Sequence, residues 1–218
     1  MIDPLNFLVF GANGSIGSAC VEKLRLHGTV THGSRDLIEL QSQLDSISLF
    51  AGVVWAQGIN ASDSSATFEI NSYEKVMDAN VTFVLRSLKV LLDSNKVQRD
   101  SQLVLLSSIW GQLSRPDKLS YAISKAAVGG MLRSLTADLG PLGIQINAVA
   151  PGPIDTPMTT TNLTPEQFER VISESPLKRL VNLDEVASVV CELATSKLSG
   201  INGQEIIVDN GWSVSKLV

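Results

Sequence analysis

The 218-residue sequence is poor in cysteine, histidine and aromatic residues and has no concentration of charge of one sign. Each shortage excludes a class of protein. The two cysteines, Cys20 and Cys191, set up no disulfide framework, and their spacing suggests no zinc site. Both lie in apolar stretches that read as helical, which makes them buried thiols. The two histidines, His27 and His32, flank a turn and a strand without a partner at metal spacing, so no metal is expected. The formal charge is −5, and acidic and basic residues are scattered. Without a polybasic run there is no electrostatic footprint for nucleic acid or an anionic membrane surface. No uninterrupted apolar run reaches the roughly 18 residues of a membrane span. Met1-Ile2-Asp3-Pro4 also lacks a charged and then hydrophobic leader pattern. The expectation is a cytoplasmic protein whose partner is a small molecule.

What the chain does have is alternation. Strand-like runs fall at 6–10, 29–32, 53–55, 103–106, 144–149 and 205–208, with helical stretches between them. The first of these helices spans 15–27, with its apolar residues at Ile16, Ala19, Cys20 and Leu24. Asn71 with Glu74 reads as the N-terminal box of a long helix through Leu92. Thr164-Pro165-Glu166-Gln167 is a stronger box, and Asn182 caps a helix running to about Thr195. Strands alternating with helices imply βαβ units and a doubly wound parallel sheet. The length suits one domain over 1–218. Residues 151–176, rich in proline and threonine and following a strand, are the candidate substrate lid.

Two constellations carry chemistry. Gly11-Ala12-Asn13-Gly14-Ser15-Ile16-Gly17 lies between the first strand and first helix. Glycines there permit a tight turn and let a pyrophosphate approach amides at a helix N-terminus. The spacing is G-x-x-G-x-x-G, which differs from the general dinucleotide fingerprint. The second set is Ser108, Tyr121 and Lys125. Tyr121 and Lys125 are spaced i, i+4 and share a helix face. A free tyrosine, with a pKa near 10, is a poor acid-base group at neutral pH. A neighbouring ammonium favours its phenolate. Ser108, at the C-terminal end of a strand, offers a hydroxyl to a substrate carbonyl oxygen.

Together these residues resemble the short-chain dehydrogenase/reductase family, in its small single-domain branch that includes 3-oxoacyl-acyl-carrier-protein reductases. Ser107-Ser108-Ile109-Trp110-Gly111 is similar to its Ser-Ser-x-x-Gly segment, and the interval from Ser108 to Tyr121 matches its usual spacing. Asn80, in Asp78-Ala79-Asn80-Val81, resembles the asparagine that holds a water for proton relay. The segment 147–158 resembles the Pro-Gly segment, and 203–209 the last strand. The resemblance implies catalysis by Tyr121, Ser108, Lys125 and Asn80. It also implies a dinucleotide site using Gly11, Asn13, Gly14, Ser15, Ile16 and Gly17, then Ala56, Gln57 and Gly58, then Pro151, Gly152, Ile154 and Thr156. Lys125 would also hold the nicotinamide ribose. The implied reaction is hydride transfer between NADP(H) or NAD(H) and a small carbonyl or alcohol. A cofactor-binding sensor or scaffold of the same fold, without turnover, is the alternative.

Several positions depart from the family pattern. Phe10 stands where a threonine is usual, Ser15 where the middle glycine is usual, with Gly14 one residue earlier, and Trp55-Ala56-Gln57-Gly58 where Asn-Asn-Ala-Gly is common. Asp209-Asn210-Gly211 stands for Asp-Gly-Gly. Between Arg35 and Val53 there is room for one helix, through Leu37, Leu40, Leu44 and Ile47, and not for the usual third strand. The expected sheet therefore has six strands, a newly exposed edge and a looser adenine pocket. Ser34 and Arg35 after the second strand suit a 2′-phosphate and favour NADP over NAD; Asp36, in a shifted register, would argue the reverse. Trp110, Leu113 and Met158 flank the presumed site. The family resemblance further implies a homo-oligomer, a dimer or tetramer, built from helices beginning near Asn71 and Leu119, with Gly129-Gly130 permitting close approach.

Overall fold

The computed structural model describes residues 5–156, 164–195 and 200–215. Its core is a six-stranded sheet in the order β2-β1-β3-β4-β5-β6, with every neighbouring pair parallel. The strands are β1 (Leu5–Phe10), β2 (Gly28–Gly33), β3 (Gly52–Trp55), β4 (Gln102–Leu106), β5 (Gln145–Pro151) and β6 (Glu205–Val208). The four central strands are near-continuous apolar runs because helices cover both of their faces. Alternation along each strand divides the core. Leu8, Phe10, Val53, Trp55, Leu103 and Leu105 face one layer, while Phe7, Val9, Val54, Val104 and Leu106 face the other. The chain reverses direction across the sheet between β1 and β3, and open α/β sheets bind ligands at such a switch point, beyond the strands' C-terminal ends.

The doubly wound sheet and the missing edge strand are as expected. Between β2 and β3 stands a single helix, α2 (Leu37–Leu44). β2 is therefore an edge strand, and its side chains are half-exposed or exposed throughout. Phe10 and Trp55, which replace smaller polar residues of the family pattern, stack on each other at 5.7 Å, and Phe10 meets Phe83 edge-on at 5.3 Å. The Trp55 indole N–H donates to Ser87 Oγ at 2.8 Å, so the buried ring has its one polar atom satisfied.

The helices differ from the sequence reading at particular ends. α1 (Ser15–Leu24) stops three residues before His27. Asn71 is not a cap: α3 (Ile70–Met77) has Glu69 at the N-cap position without a side-chain cap bond, and Phe68 packs on Tyr73 at 5.7 Å as a hydrophobic staple. After α3 the chain makes a π turn over Asp78–Thr82 before continuing as α4 (Phe83–Asp93). α5 spans Leu119–Leu139, and α6 (Pro165–Glu174) begins with the expected reciprocal box of Thr164 and Gln167. At α7 (Leu183–Thr195) the box runs backwards, since the Glu185 carboxylate accepts the Asn182 backbone N–H at 2.8 Å. Cys20 and Cys191 are free and buried, and burial pushes the Cys20 thiol up to about 12. No helix among the described residues is long and apolar enough to cross a membrane.

Candidate active site

The glycine turn is built by contact rather than by capping. Gly11 has φ +73°, and a Cβ there would lie 2.5 Å from the Gln57 backbone nitrogen, so the turns after β1 and β3 touch only because it has none. A Cβ on Gly17 would overlap the Gly11 carbonyl oxygen, backbone against backbone. Gly17→Ala should therefore cost about 1–3 kcal/mol of stability, read as a lower denaturation midpoint with an unchanged m-value. The turn closes through Gly14 N–H to the Gly11 carbonyl at 2.9 Å. Gly14, the N-cap of α1, brings no side-chain acceptor, and the first turn has no acid. The N-terminal amides of α1 thus lack side-chain partners and suit an anion.

The other half of the site is set by β4 and α5. Ser108, in extended backbone after β4, starts a short 3₁₀ turn (Ile109–Gly111), and its hydroxyl accepts the Trp110 N–H at 3.3 Å. Tyr121 lies within the first turn of α5 and lines the same cleft as Ser108. Removal from water pushes the phenol pKa up, and the neighbouring Ser108 hydroxyl pulls it back part of the way. Lys125 is buried one turn further on. Its Nζ donates to the Leu106 carbonyl at 2.8 Å and stands 5.7 Å from the centre of the Tyr121 ring. Burial pushes the ammonium down to about 8, against the opposing charge of Glu205.

Asn80 sits in the π turn, behind the loop that follows β3. Its Oδ1 accepts the Ile59 N–H at 2.9 Å, and its Nδ2 donates to the Ile59 carbonyl at 3.0 Å and to Ser124 Oγ at 2.9 Å. The amide thus ties the loop after β3 to α5 beside Lys125.

A cleft of about 590 Å³ opens at the C-terminal ends of the strands. It is lined by Gly14, Ser15 and Ile16 from the first turn, by Ala56, Gln57 and Gly58 from the second, and by Ser108, Tyr121 and Lys125. Pro151, Gly152, Ile154 and Thr156 follow from the loop after β5. Gly11, Asn13, Gly17 and Asn80 are not among the lining residues, and Ser34 and Arg35 lie apart from the cleft at the end of β2. The Arg35 guanidinium stacks 5.8 Å from the Phe83 ring centre. Ser34 Oγ donates to Glu39 at 2.7 Å, while the Asp36 carboxylate caps α2 through the N–H groups of Ile38 and Glu39. Trp110 lines the cleft, Leu113 does not, and Met158 lies outside the described residues. The sequence reading missed Asn60, Lys118 and Trp212, which also line it, and Ser124, the Asn80 partner. Ser124 lay inside the Tyr-x-x-x-Lys motif, whereas Asn60 and Trp212 carry no local signal.

A dinucleotide fits this cleft. Gln57 Oε1 and Ser107 Oγ are buried along it without a hydrogen-bond partner, and the glycine turn leaves backbone amides open to an anion. Fold and site define an oxidoreductase dependent on NAD or NADP. Residues 28–213 match a family described as enoyl-(acyl carrier protein) reductase. An uncharacterised oxidoreductase of Bacillus subtilis, YmfI, is 27% identical over 94% of this chain and 97% of its own length. The 3-oxoacyl-(acyl-carrier-protein) reductase of Thermotoga maritima is 35% identical over 64% of this chain and 56% of its own. A short chain dehydrogenase family protein from Francisella tularensis superposes with a TM-score of 0.86 at 25% identity, covering 97% of this chain and 99% of that one. The chain belongs to the short-chain dehydrogenase/reductase family. It is an enzyme of that class, which sets aside the binding-only alternative.

Proposed function

We propose that the protein reduces a small carbonyl compound with NADPH, using Tyr121 as the proton donor. The observation that carries this reading is the placing of Ser108, Tyr121 and Lys125 on one cleft wall, with the Lys125 ammonium against the tyrosine ring. NADP(H), when bound, supplies or accepts the hydride. Ser108 orients the substrate oxygen and stabilises negative charge on it, and Tyr121 passes its phenolic proton to that oxygen. A phenol pushed upward remains protonated at neutral pH and is ready to donate, which suits reduction. Lys125 favours the phenolate left behind and hydrogen-bonds the ribose. Asn80 holds the loop after β3 against α5 and so keeps the proton path in register.

The amides of Gly14, Ser15 and Ile16 would hold the pyrophosphate, Ala56, Gln57 and Gly58 the adjoining sugar, and Ile154 and Thr156 the nicotinamide carboxamide. Arg35 and Ser34 are the 2′-phosphate ligands. Asp36 caps α2 through Oδ1, which supports this reading over the shifted register that would favour NAD. Fluorescence titration tests the choice. The parent should bind NADPH more tightly than NADH, and Arg35→Ala should weaken NADPH about tenfold, as expected for a charged contact of about 1.5 kcal/mol, with little change for NADH. Equal affinities in the parent would remove the argument.

Residues 1–218 act as one domain in this reading, and 151–176 serve as the cover of the substrate site. The described part of that cover, α6, presents Gln167, Arg170 and Val171 to the cleft, while 157–163 lie outside the described residues. The enzyme works in the cytoplasm as a homo-oligomer. Exposed Leu85 on α4 and Ile123 on α5, with Gly129 and Gly130 beside the Arg133 guanidinium, supply the contact face.

A further inference from the structure

One buried cation in the cleft has no role in the reaction described above. Lys118 immediately precedes α5, and only 6% of it is exposed. Its Nζ donates to Asn60 Oδ1 at 3.0 Å and stands 5.6 Å from the centre of the Tyr121 ring. The nearby carboxylate, Asp63, is committed elsewhere: it accepts the Ser120 backbone N–H at 2.9 Å and the Ser120 hydroxyl. Among the described residues Lys118 makes no ion pair. Arg115, the next cation along the cleft, lies 5.7 Å over the Trp110 ring and has no carboxylate partner either. On the opposite wall Arg170 is neutralised by Glu174 at 2.9 Å.

An ammonium held out of water beside a neutral amide is costly unless something pairs with it. Burial and the Arg115 charge both push Lys118 downward, and Asp63 opposes them. An anion entering from the cleft would relieve that cost. We infer that the substrate carries a carboxylate close to its carbonyl group, and that Lys118, held by Asn60, is the residue that anchors it. This rests on the assignment of Tyr121 and Ser108 to the carbonyl oxygen. Lys118 and Tyr121 lie side by side at the start of one helix, so both reach a single short molecule: an oxo acid in the reductive direction, a hydroxy acid in the other. The Trp110 and Trp212 rings, 5.7 Å apart, wall its carbon body.

The test compares short oxo acids with their methyl esters. In the parent with NADPH, kcat/KM for the acid should exceed that for the ester at least about tenfold, the value of one charged hydrogen bond. Lys118→Gln, which can still donate to Asn60, should bring the ratio close to one, and Lys118→Arg should keep it well above one. A ratio near one in the parent, or one that survives Lys118→Gln, overturns the inference. So does an equal loss on both substrates with a moved pH profile, since that marks Lys118 as a second cation acting on Tyr121. Binding gives a readout independent of turnover. With NADP present, hydroxy acids should raise Tm more than their esters do, in the parent and in Tyr121→Phe, and not in Lys118→Gln. Failure of the underlying chemistry looks different: Tyr121→Phe would then turn over as fast as the parent while the acid preference stayed intact.

Discussion

Replacing Tyr121 by phenylalanine should lower kcat for carbonyl reduction about 10²- to 10⁴-fold, the usual contribution of a positioned acid. Only the phenolic oxygen is removed. The ring that packs beneath Lys118 and Lys125 stays, so NADPH affinity should change by less than about twofold. Loss confined to kcat, with KM little altered, marks an interaction made in the transition state. Single-turnover measurement of NADPH oxidation separates this from slow product release. A variant as fast as the parent on any substrate would show that the proton comes from another group. Ser108→Ala offers no equally clean comparison, because Ser108 also accepts the Trp110 N–H and its loss disturbs the 3₁₀ turn.

Lys125→Met should act in opposite directions on activity and stability. Activity falls because the phenolate loses a neighbouring cation. Stability rises because an ammonium no longer has to be buried. The sign follows from the pKa. Lys125 is pushed down to about 8, so between there and the ordinary lysine value the unfolded chain binds a proton that the folded one does not. Stability of the parent therefore increases with pH across that window, and the full penalty is present below it. The penalty at neutral pH is about 3 kcal/mol, and about 1 kcal/mol is given back when the Leu106 carbonyl loses its donor. The variant should be more stable than the parent by about 2 kcal/mol at pH 7, and the gap should close above about pH 10. Denaturant melts at a series of pH values measure this directly. Parallel profiles for the two proteins would mean that Lys125 is not desolvated in the fold.

Much of this was readable from the chain because the relevant physics is local. Thr164, Pro165 and Gln167 define a helix start within four residues, and apolar runs bounded by glycine define β1 and β3. Even the lost strand was legible, as a shortage of residues between Arg35 and Val53. What escaped depends on contacts between distant segments. The start of α3 is held by Phe68 on Tyr73, so the Asn71 and Glu74 pattern was a coincidence of composition. The π turn at Asn80 has no signature in Asp78-Ala79-Asn80-Val81-Thr82, and its purpose is visible only once Ile59 and Ser124 are in place. Lys118 reads in sequence as one more surface cation before a helix. Its burial comes from Asn60, 58 residues away. A phenol lowered by Lys125 was expected from spacing alone, yet burial pushes it up, and the group that opposes burial is Ser108.

The bare edge at β2 bears on how quickly cofactor is exchanged. With no strand outside it and Arg35 resting on an aromatic ring, the adenosine end has a floor and no far wall. Binding differences among related complexes are expressed mostly in dissociation rates, and release of spent cofactor often limits turnover in enzymes of this kind. On the proposed reading, an adenosine end walled on fewer sides lets the cofactor go earlier. Such an enzyme would equilibrate with the cellular pool of reduced and oxidised dinucleotide between turnovers. Its flux would then follow changes in the ratio of the two forms with little delay.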